Sequence, residues 1–288
     1  MNPWISAARP KTLWAAVAPV LIGCAMAEGD GVFHAPSAVA ALLASLLIQI
    51  GTNFWNDYAD FVRGTDTKDR VGPTRATAAG LISPQAMRNA ALVVFALSGL
   101  CAVYLFPRAG WPILVIGAAS IASGIAYTSG SMALAYTGMA DLFAFTFFGP
   151  VAVAGTYYVQ GLTWPPEVIV AGIAPGLLSV AILTVNNLRD IETDAKAGRK
   201  TLAVRFGRRF ARTEYIVAIV GASLVPFWTI QLAQQGANAV VAFLIFPAAL
   251  PAIRSVCKKS GAELNPSLAY TAILLLVYSV LFSVGWTK

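Results

Sequence analysis

Two groups of amide and carboxylate side chains in this chain have the spacing of residues on one face of a helix. The groups are Asn53, Asn56 and Asp60, and Asn187, Asp190 and Asp194. Residues spaced i, i+3 and i+7 point to the same side at 3.6 residues per turn. A glycine follows the last aspartate of each group by four positions, so both segments read N-x2-[ND]-x3-D-x3-G. The same arrangement of oxygen-bearing side chains therefore occurs twice.

Both groups end apolar stretches, where carboxylates need a compensating cation because an unpaired charge beside lipid is costly. Mg²⁺ suits such a site, since it takes oxygen ligands and shares them with substrate phosphates. Metal ions held this way can clamp a diphosphate and neutralise the charge that develops as it leaves. The pattern therefore predicts an enzyme that acts on a diphosphate at a membrane surface, with Mg²⁺ as cofactor. The predicted metal ligands are Asn56, Asp57, Asp60, Asp66, Asp190 and Asp194.

Basic and aromatic residues near the two groups complete the predicted site. Lysine and arginine are natural partners of diphosphate oxygens. Tyr127 ends a predicted helix on the side of the carboxylates, and its ring can stabilise a carbocation. The predicted catalytic residues are Asn56, Asp60, Tyr127, Asp190 and Asp194. The predicted substrate-binding residues are Gln49, Asn53, Arg75, Asp141, Asn187, Lys196 and Lys200.

The composition is that of an integral membrane protein. Of 288 residues, 58% are hydrophobic and 11% are charged, against roughly 25% charged residues in soluble domains. Glycine, proline and charge divide the chain into nine apolar segments. The predicted helices are 12–28, 37–58, 85–106, 111–128, 138–159, 167–187, 212–234, 237–256 and 267–286. The predicted fold is all-α: one integral-membrane domain over residues 1–288, with nine transmembrane helices around a central cavity.

The basic residues fall almost entirely on one side of this predicted topology. Of the 20 lysines and arginines, only Arg108 and Lys288 lie on the other side. The positive-inside rule then predicts a multi-pass protein of a bacterial cytoplasmic membrane, with a cytoplasmic N-terminus and both polar groups at the cytoplasmic interface. The net charge of +7 reflects this topology and two functional loops, and predicts no nucleic-acid partner.

The two polar groups, Asn-Asp-Tyr-Ala-Asp at 56–60 with Asp66 and Asp-Ile-Glu-Thr-Asp at 190–194, resemble the two aspartate-rich motifs of the UbiA superfamily of intramembrane prenyltransferases. Further similar segments are 8–13, 49–58, 70–80, 147–149, 155–160, 185–194 and 198–203. The resemblance implies nine helical spans around a laterally open cavity. It also implies Mg²⁺-dependent ionisation of a polyprenyl diphosphate, attack by an aromatic ring and loss of the ring carboxylate. The likeness is strongest to members that act on 1,4-dihydroxy-2-naphthoate in menaquinone synthesis.

One segment departs from the family pattern. The family usually carries an arginine or lysine a few residues after the position of Tyr127, whereas residues 128–134 contain neither. How the diphosphate or the acceptor carboxylate is held on that side stays open. Two alternatives also stay open: another aromatic acceptor, such as homogentisate or 4-hydroxybenzoate, and a transporter with a carboxylate-lined site. A transporter would place its charges near the middle of the bilayer.

Overall fold

The computed structural model describes residues 2–65, 72, 75–130 and 133–288, and these residues form helices and no strands. Asp66, a predicted metal ligand, lies outside the described residues. The α-helices are α1 (Pro3–Ala8), α2 (Trp14–Gly29), α3 (Ala35–Val62), α4 (Pro84–Ala109), α5 (Trp111–Ala126), α6 (Leu134–Thr137), α7 (Ala140–Phe147), α8 (Pro150–Gly161), α9 (Pro166–Ala171), α10 (Ile173–Arg189), α11 (Ile191–Lys196), α12 (Leu202–Ala233), α13 (Ile245–Lys258) and α14 (Asn265–Trp286). Short 3₁₀ helices cover Pro10–Thr12, Ala237–Leu244 and Gly261–Leu264. The all-α prediction is confirmed.

The nine predicted segments are helical, but the predicted count of nine spans is not confirmed. In the part of the chain that the structure describes, seven helical segments are long and apolar enough to cross a membrane, and some of them combine two of the helices above. They are Ala35–Val62, Pro84–Ala109, Ala140–Gly161, Pro166–Arg189, Leu202–Ala233, Ala237–Lys258 and Gly261–Trp286. Pro3–Thr12 and Trp14–Gly29 form an eighth if the pair, which bends by 48°, is taken as one span. Helix α5 has 16 residues, which is about 24 Å against a hydrocarbon core of about 30 Å. The protein is a multi-pass membrane protein, and α5 is too short to cross the bilayer by itself.

Two of the predicted helices are interrupted, and the interruptions touch each other. Gly149 separates α7 from α8, and Gly172 separates α9 from α10. A Cβ atom on Gly149 would lie 2.6 Å from the carbonyl oxygen of Gly172, and one on Gly172 would lie 2.6 Å from the Cα of Pro150. Glycine permits this backbone contact, as small residues commonly do between membrane helices.

The described residues form three buried apolar clusters, the smallest of which contains Ala40, Leu105, Ala109 and Val159. The largest one lies among α2, α8, α10, α12 and α14 and contains Tyr278 and Phe282. The second joins α1, α3 and α4 around Phe54 and Phe95. Helices α3 and α4 approach closely because Gly51 has no side chain; a Cβ there would lie 2.7 Å from the Phe95 ring. This second core fixes the end of α3 that carries the first polar group.

The connection predicted between helices 167–187 and 212–234 is shorter than expected. Helix α11 lies inside it, and α12 begins at Leu202, ten residues before the predicted start. Thr201 caps α12, its hydroxyl accepting from the Val204 backbone N–H at 3.3 Å. Gly207, with φ of 83°, interrupts the helix and separates its beginning from the long span. The residues between Asp190 and Gly207 are therefore largely helical.

Candidate active site

The first polar group lies on one buried face of α3, as its spacing predicts. Asn53, Asn56 and Asp60 are 3%, 6% and 0% exposed. The Asn53 side-chain amide donates to the carbonyl of Ala8 at 2.9 Å and to the hydroxyl of Thr12 at 3.3 Å. Gln49, one turn earlier, donates to the Thr12 hydroxyl at 3.5 Å. The two amides predicted to bind substrate thus hold the N-terminal segment against α3.

Asp57 points away from this face, because one residue turns a helix by about 100°. Its two carboxylate oxygens accept from the backbone N–H groups of Ala76 and Thr77, both at 3.1 Å. Asp57 is 2% exposed, and it stabilises the turn that spans residues 76–80. Both oxygens are thus engaged by the protein itself, and the metal-ligand role of Asp57 stays a prediction.

The second polar group does not lie on one continuous helix. Asn187 belongs to α10, Asp190 has non-helical angles (φ −96°, ψ 10°) and ends it, and Asp194 belongs to α11. The prediction of a single helical face is therefore wrong for this group. Asn187 and Asp194 are nonetheless buried, at 5% and 6% exposure. The break turns the chain at Asp190 and gives Asp190 a different neighbour from Asp194.

The segments after the two groups have the same backbone geometry, in keeping with the repeated pattern. Gly64 and Gly198 both have positive φ, 69° and 73°. The residue after each glycine donates its N–H to the carbonyl of the last aspartate: Thr65 to Asp60 at 3.1 Å, and Arg199 to Asp194 at 2.9 Å. This is the six-residue hydrogen bond of a Schellman C-cap, which favours glycine at the left-handed position. In both segments the chain therefore turns back toward the aspartate that ends the polar group.

Arg199 connects the two polar groups. Its guanidinium lies 2.9 Å from an Asp60 oxygen and 3.4 Å from an Asp194 oxygen. Asp60 also forms an ion pair with Arg75, and the Asp60 side chain is 1% exposed. Burial acts to lower the pKa of Arg199, but the negative charges of Asp60 and Asp194 outweigh burial and raise the pKa above its ordinary value. The two aspartates therefore share one permanently charged cation.

Asp190 has a separate partner. Its two oxygens accept from the Arg189 guanidinium at 2.8 and 2.5 Å. Arg189 also donates to the side-chain oxygens of Asn186 at 2.8 Å and Asn265 at 3.0 Å. This buried arginine ties the end of α10 to the start of α14, and it neutralises Asp190 independently of Arg199.

The start of the connection between α5 and α7 contacts the first polar group and the end of α3. Thr128 donates its hydroxyl to the Asn56 side-chain oxygen at 2.9 Å. Trp55 donates its indole N–H to the Ser129 hydroxyl at 2.7 Å, and Arg63 donates to the Gly130 carbonyl. Three consecutive residues of the connection thus bind the end of α3.

Arginines from other parts of the chain also contact this connection. Arg63 and Arg199 lie with their guanidinium carbons 4.8 and 5.7 Å from the Tyr136 ring centroid. Arg205 donates to the Thr137 carbonyl at 2.7 Å. The family pattern places a cation within this connection; here, arginines from elsewhere in the chain reach it.

An apolar chamber of about 380 Å³ lies next to the polar groups. Tyr127, Phe143 and Phe147 line it, together with Gln49 on α3. Enclosure by the protein raises the pKa of Tyr127 to about 12, so its phenol stays neutral near neutral pH. Because Tyr127 lines the chamber and the next residue binds Asn56, the chamber and the first polar group are adjacent.

Of the remaining predicted residues, Arg75 belongs to this arrangement. Arg75 is 7% exposed and reaches Asp60, whereas Lys196 and Lys200 have exposed side chains. Asp141, at the start of α7, is 6% exposed, and neither of its oxygens has a hydrogen-bond partner among the described residues.

The structure brings Asp60, Asp194 and Arg75 together around Arg199, which the prediction of site residues omitted. Arg199 comes directly after Gly198, within the repeated pattern. That position is the signal that could have identified it.

The donor set suits a hard cation, although the carboxylates are not gathered into one compact group. Within the described residues, no three histidine, cysteine, aspartate or glutamate side chains lie close enough together to hold a metal ion. Asp60 and Asp194 nevertheless already share one cation, since both contact Arg199. Their carboxylate oxygens, with the amide oxygen of Asn56, are the ligand type that Mg²⁺ prefers. The chemistry of these residues therefore fits a divalent cation, which Asn56, Asp60 and Asp194 would hold.

The fold and the site together define an intramembrane protein with a charged centre at one end of an apolar chamber. The model of the UbiA prenyltransferase family matches residues 16–276, which is most of the chain. The protein therefore belongs to the UbiA prenyltransferase family, as the resemblance of its motifs implies.

Relatives and solved structures agree with this family. The chain is 39% identical to 1,4-dihydroxy-2-naphthoate octaprenyltransferase of Mycobacterium tuberculosis, over 96% of this chain and 94% of the relative. It is 36% identical to the enzyme of that name from Haemophilus influenzae, over 99% and 96% of the two chains. A UbiA homologue from Archaeoglobus fulgidus, solved with GPP and Mg²⁺, has 17% identity and a TM-score of 0.71, over 98% of this chain and 99% of that chain. This last likeness supports the fold.

Proposed function

We propose that this protein transfers a polyprenyl group from a polyprenyl diphosphate to 1,4-dihydroxy-2-naphthoate. The ring carboxylate is lost as CO₂, diphosphate is released, and the product is demethylmenaquinol. The observation that carries the proposal is the Arg199 guanidinium, which joins Asp60 and Asp194 beside an apolar chamber. The similarity to the octaprenyltransferases of Mycobacterium tuberculosis and Haemophilus influenzae supports the choice of acceptor.

Mg²⁺ is the proposed cofactor, and it would be held by Asn56, Asp60, Asp190 and Asp194. When bound, it supplies positive charge that stabilises diphosphate as a leaving group. The Archaeoglobus fulgidus homologue was solved with GPP and Mg²⁺ bound, which supports this choice. Occupation of the site by Mg²⁺ would replace part of the charge that Arg75 and Arg199 now provide to Asp60.

The arginines have a second proposed role as contacts for the diphosphate. Arg75 and Arg199 are fixed beside Asp60, and a guanidinium presents paired N–H donors to phosphate oxygens. Lys200 adds an exposed charge next to Arg199 in the chain. Ionisation breaks the allylic C–O bond, and the electron pair leaves with the diphosphate. These cations favour that step because they stabilise the charge that develops on the leaving oxygens.

The chamber is the proposed place of the allylic cation and of the first part of the prenyl tail. Its lining is largely apolar, so it excludes water, which would otherwise capture the cation. The Tyr127 ring borders it and can stabilise positive charge through its face. The ring of the acceptor then forms the new carbon–carbon bond. Asp141 and the amides of Gln49, Asn53 and Asn187 stay proposed substrate contacts.

The proposed location is a bacterial cytoplasmic membrane, with the polar groups facing the cytoplasm. The bias of lysine and arginine to one side supports this orientation. The transporter alternative expects charges at mid-bilayer depth. Here Asn53, Asn56 and Asp60 lie in the last ten residues of the 28-residue helix α3, and Asp194 lies beyond the end of α10. This placement favours an interfacial enzyme.

The test is product analysis with purified protein in lipid nanodiscs. The protein is incubated with Mg²⁺, a series of polyprenyl diphosphates and 1,4-dihydroxy-2-naphthoate, and parallel reactions contain homogentisate or 4-hydroxybenzoate. Mass spectrometry should detect a prenylated naphthalenediol that lacks the carboxylate, together with diphosphate. The Asp60→Asn variant serves as the inactive control. Preferential prenylation of homogentisate or 4-hydroxybenzoate would refute the proposed acceptor, and release of no diphosphate with any acceptor would refute the reaction.

A further inference from the structure

Tyr136 is the one aromatic residue in the described part of the chain whose ring lies near two arginines in the cation–π geometry. The guanidinium carbons of Arg63 and Arg199 are 4.8 and 5.7 Å from its ring centroid. Interactions of this kind extend to about 6 Å and favour the planar guanidinium of arginine. The ring belongs to α6, the short helix in the middle of the connection between α5 and α7.

The two arginines belong to the segments that follow the two polar groups. Arg63 comes directly after α3 and donates to the Gly130 carbonyl. Arg199 comes directly after Gly198 and contacts Asp60 and Asp194. Tyr136 is therefore where the connection from α5 to α7 meets the C-cap segments of both groups.

Arg199 needs a contact of this kind if it is to stay in one place. Arginine has a long side chain with several rotatable bonds, and holding it in one conformation costs entropy. Asp60 and Asp194 lie on different helices, and the longer of the two contacts, 3.4 Å to Asp194, restrains the tilt of the guanidinium only weakly. An aromatic ring beside the guanidinium restricts that tilt through contact with its planar face.

We propose that Tyr136 is a positioning residue, whose ring holds the Arg199 guanidinium in the orientation that receives the diphosphate of the prenyl substrate. The inference rests on the proposed function, because it concerns the same diphosphate. It gives the connection after Tyr127, which lacks its own cation, a role in the site: the connection supplies the ring, and the segment after Gly198 supplies the charge.

Two substitutions of Tyr136 distinguish the contribution of its ring from that of its hydroxyl. Tyr136→Phe keeps the aromatic face, and Tyr136→Leu removes it. Binding of a thiolo analogue of geranyl diphosphate, which does not ionise readily, is measured by calorimetry with Mg²⁺ and without acceptor. Tyr136→Leu should weaken this binding by roughly five- to thirty-fold, the range for a partly to fully desolvated cation–π contact. Tyr136→Phe should bind within about twofold of the unmodified protein, and the Michaelis constant for the acceptor should not change in either variant.

A double-variant cycle tests whether Tyr136 acts through Arg199. In an Arg199→Gln background, Tyr136→Leu should have no further effect beyond about twofold, because the cation through which the ring acts on the diphosphate is gone and only Arg63 remains beside the ring. Tyr104→Leu, at an exposed tyrosine of α4, is the matched control for loss of an aromatic ring. Thermal unfolding checks that each variant is folded. If Tyr136→Leu does not fold, Tyr136→Met replaces it, since methionine fills a similar volume without a π face.

Two results would overturn the inference. One is analogue binding by Tyr136→Leu, or by Tyr136→Met, equal to that of the unmodified protein. The other is an equal loss in the Arg199→Gln background, which would give the tyrosine a role independent of Arg199. Failure of the proposed function is a distinct result: the unmodified protein would then release no diphosphate with any acceptor, while the order of analogue affinities would still report on Tyr136.

Discussion

Asp60 has two roles that a pair of substitutions can separate. It balances Arg75 and Arg199 in the protein, and it is a proposed ligand of Mg²⁺ during the reaction. Asp60→Asn keeps the size of the side chain and removes its charge. We expect the variant to lose both thermal stability and turnover, for different physical reasons.

The stability loss follows from the burial of the ion pairs. Removing one partner of a buried pair costs about 3–5 kcal/mol, because the remaining charge is left in a poorly solvated place. We expect the lower end of this range, since Arg199 retains its contact with Asp194. The loss of turnover follows from the transition state, where one electrostatic partner is typically worth about 10²–10³ in rate.

The double variant Asp60→Asn, Arg75→Gln removes one negative and one positive charge, so the charge balance of the buried site is restored. Its thermal unfolding temperature should recover toward that of the unmodified protein, while turnover should stay at least about 100-fold reduced. Unfolding is followed by intrinsic fluorescence in nanodiscs, and turnover by mass spectrometry of the prenylated product. Recovery of turnover in the double variant would refute the reasoning, because Asp60 would then act only as the counter-ion of Arg75.

Four further outcomes are expected. Excess EDTA should stop turnover and added Mg²⁺ should restore it, because the carboxylates otherwise face a polyanionic substrate; full activity in EDTA would exclude a metal clamp. Lys200→Ala should raise the Michaelis constant for prenyl diphosphate by only about three- to fivefold, since exposed charges contribute at most about 1 kcal/mol; a change confined to the acceptor constant would mean that this lysine contacts the acceptor instead. Thr128→Val should lower the free energy of unfolding by about 1–3 kcal/mol because it leaves the buried Asn56 oxygen without its donor, and Thr128→Ser should not; equal unfolding curves would contradict the hydrogen bond. Tyr127→Leu should reduce kcat by roughly five- to thirty-fold while Tyr127→Phe retains it, since the neutral phenol contributes through its ring; equal losses in both would assign the role to the hydroxyl.

The sequence alone determined the class of fold, the membrane setting and the first polar group. A long apolar chain with few charges has few ways to satisfy its backbone in lipid, and helices are the simplest of them. The i, i+3, i+7 spacing of Asn53, Asn56 and Asp60 is a local property of one helix, so it carried over to the structure unchanged. The repeated glycines did the same, because a left-handed C-cap is also encoded locally.

The tertiary structure alone decided which charges meet. Asp60 and Arg199 are far apart in the chain, and their contact depends on how α3 packs relative to the segment after α11. The break at Asp190 was also not visible in the pattern, since the spacing of Asp190 and Asp194 suits one continuous helix. Arg63 and Arg199 approach Tyr136 from other segments of the chain, so cations lie beside a connection whose sequence carries none. Spacing along a chain predicts the face of a helix, whereas the partner across a site depends on the packing of whole helices.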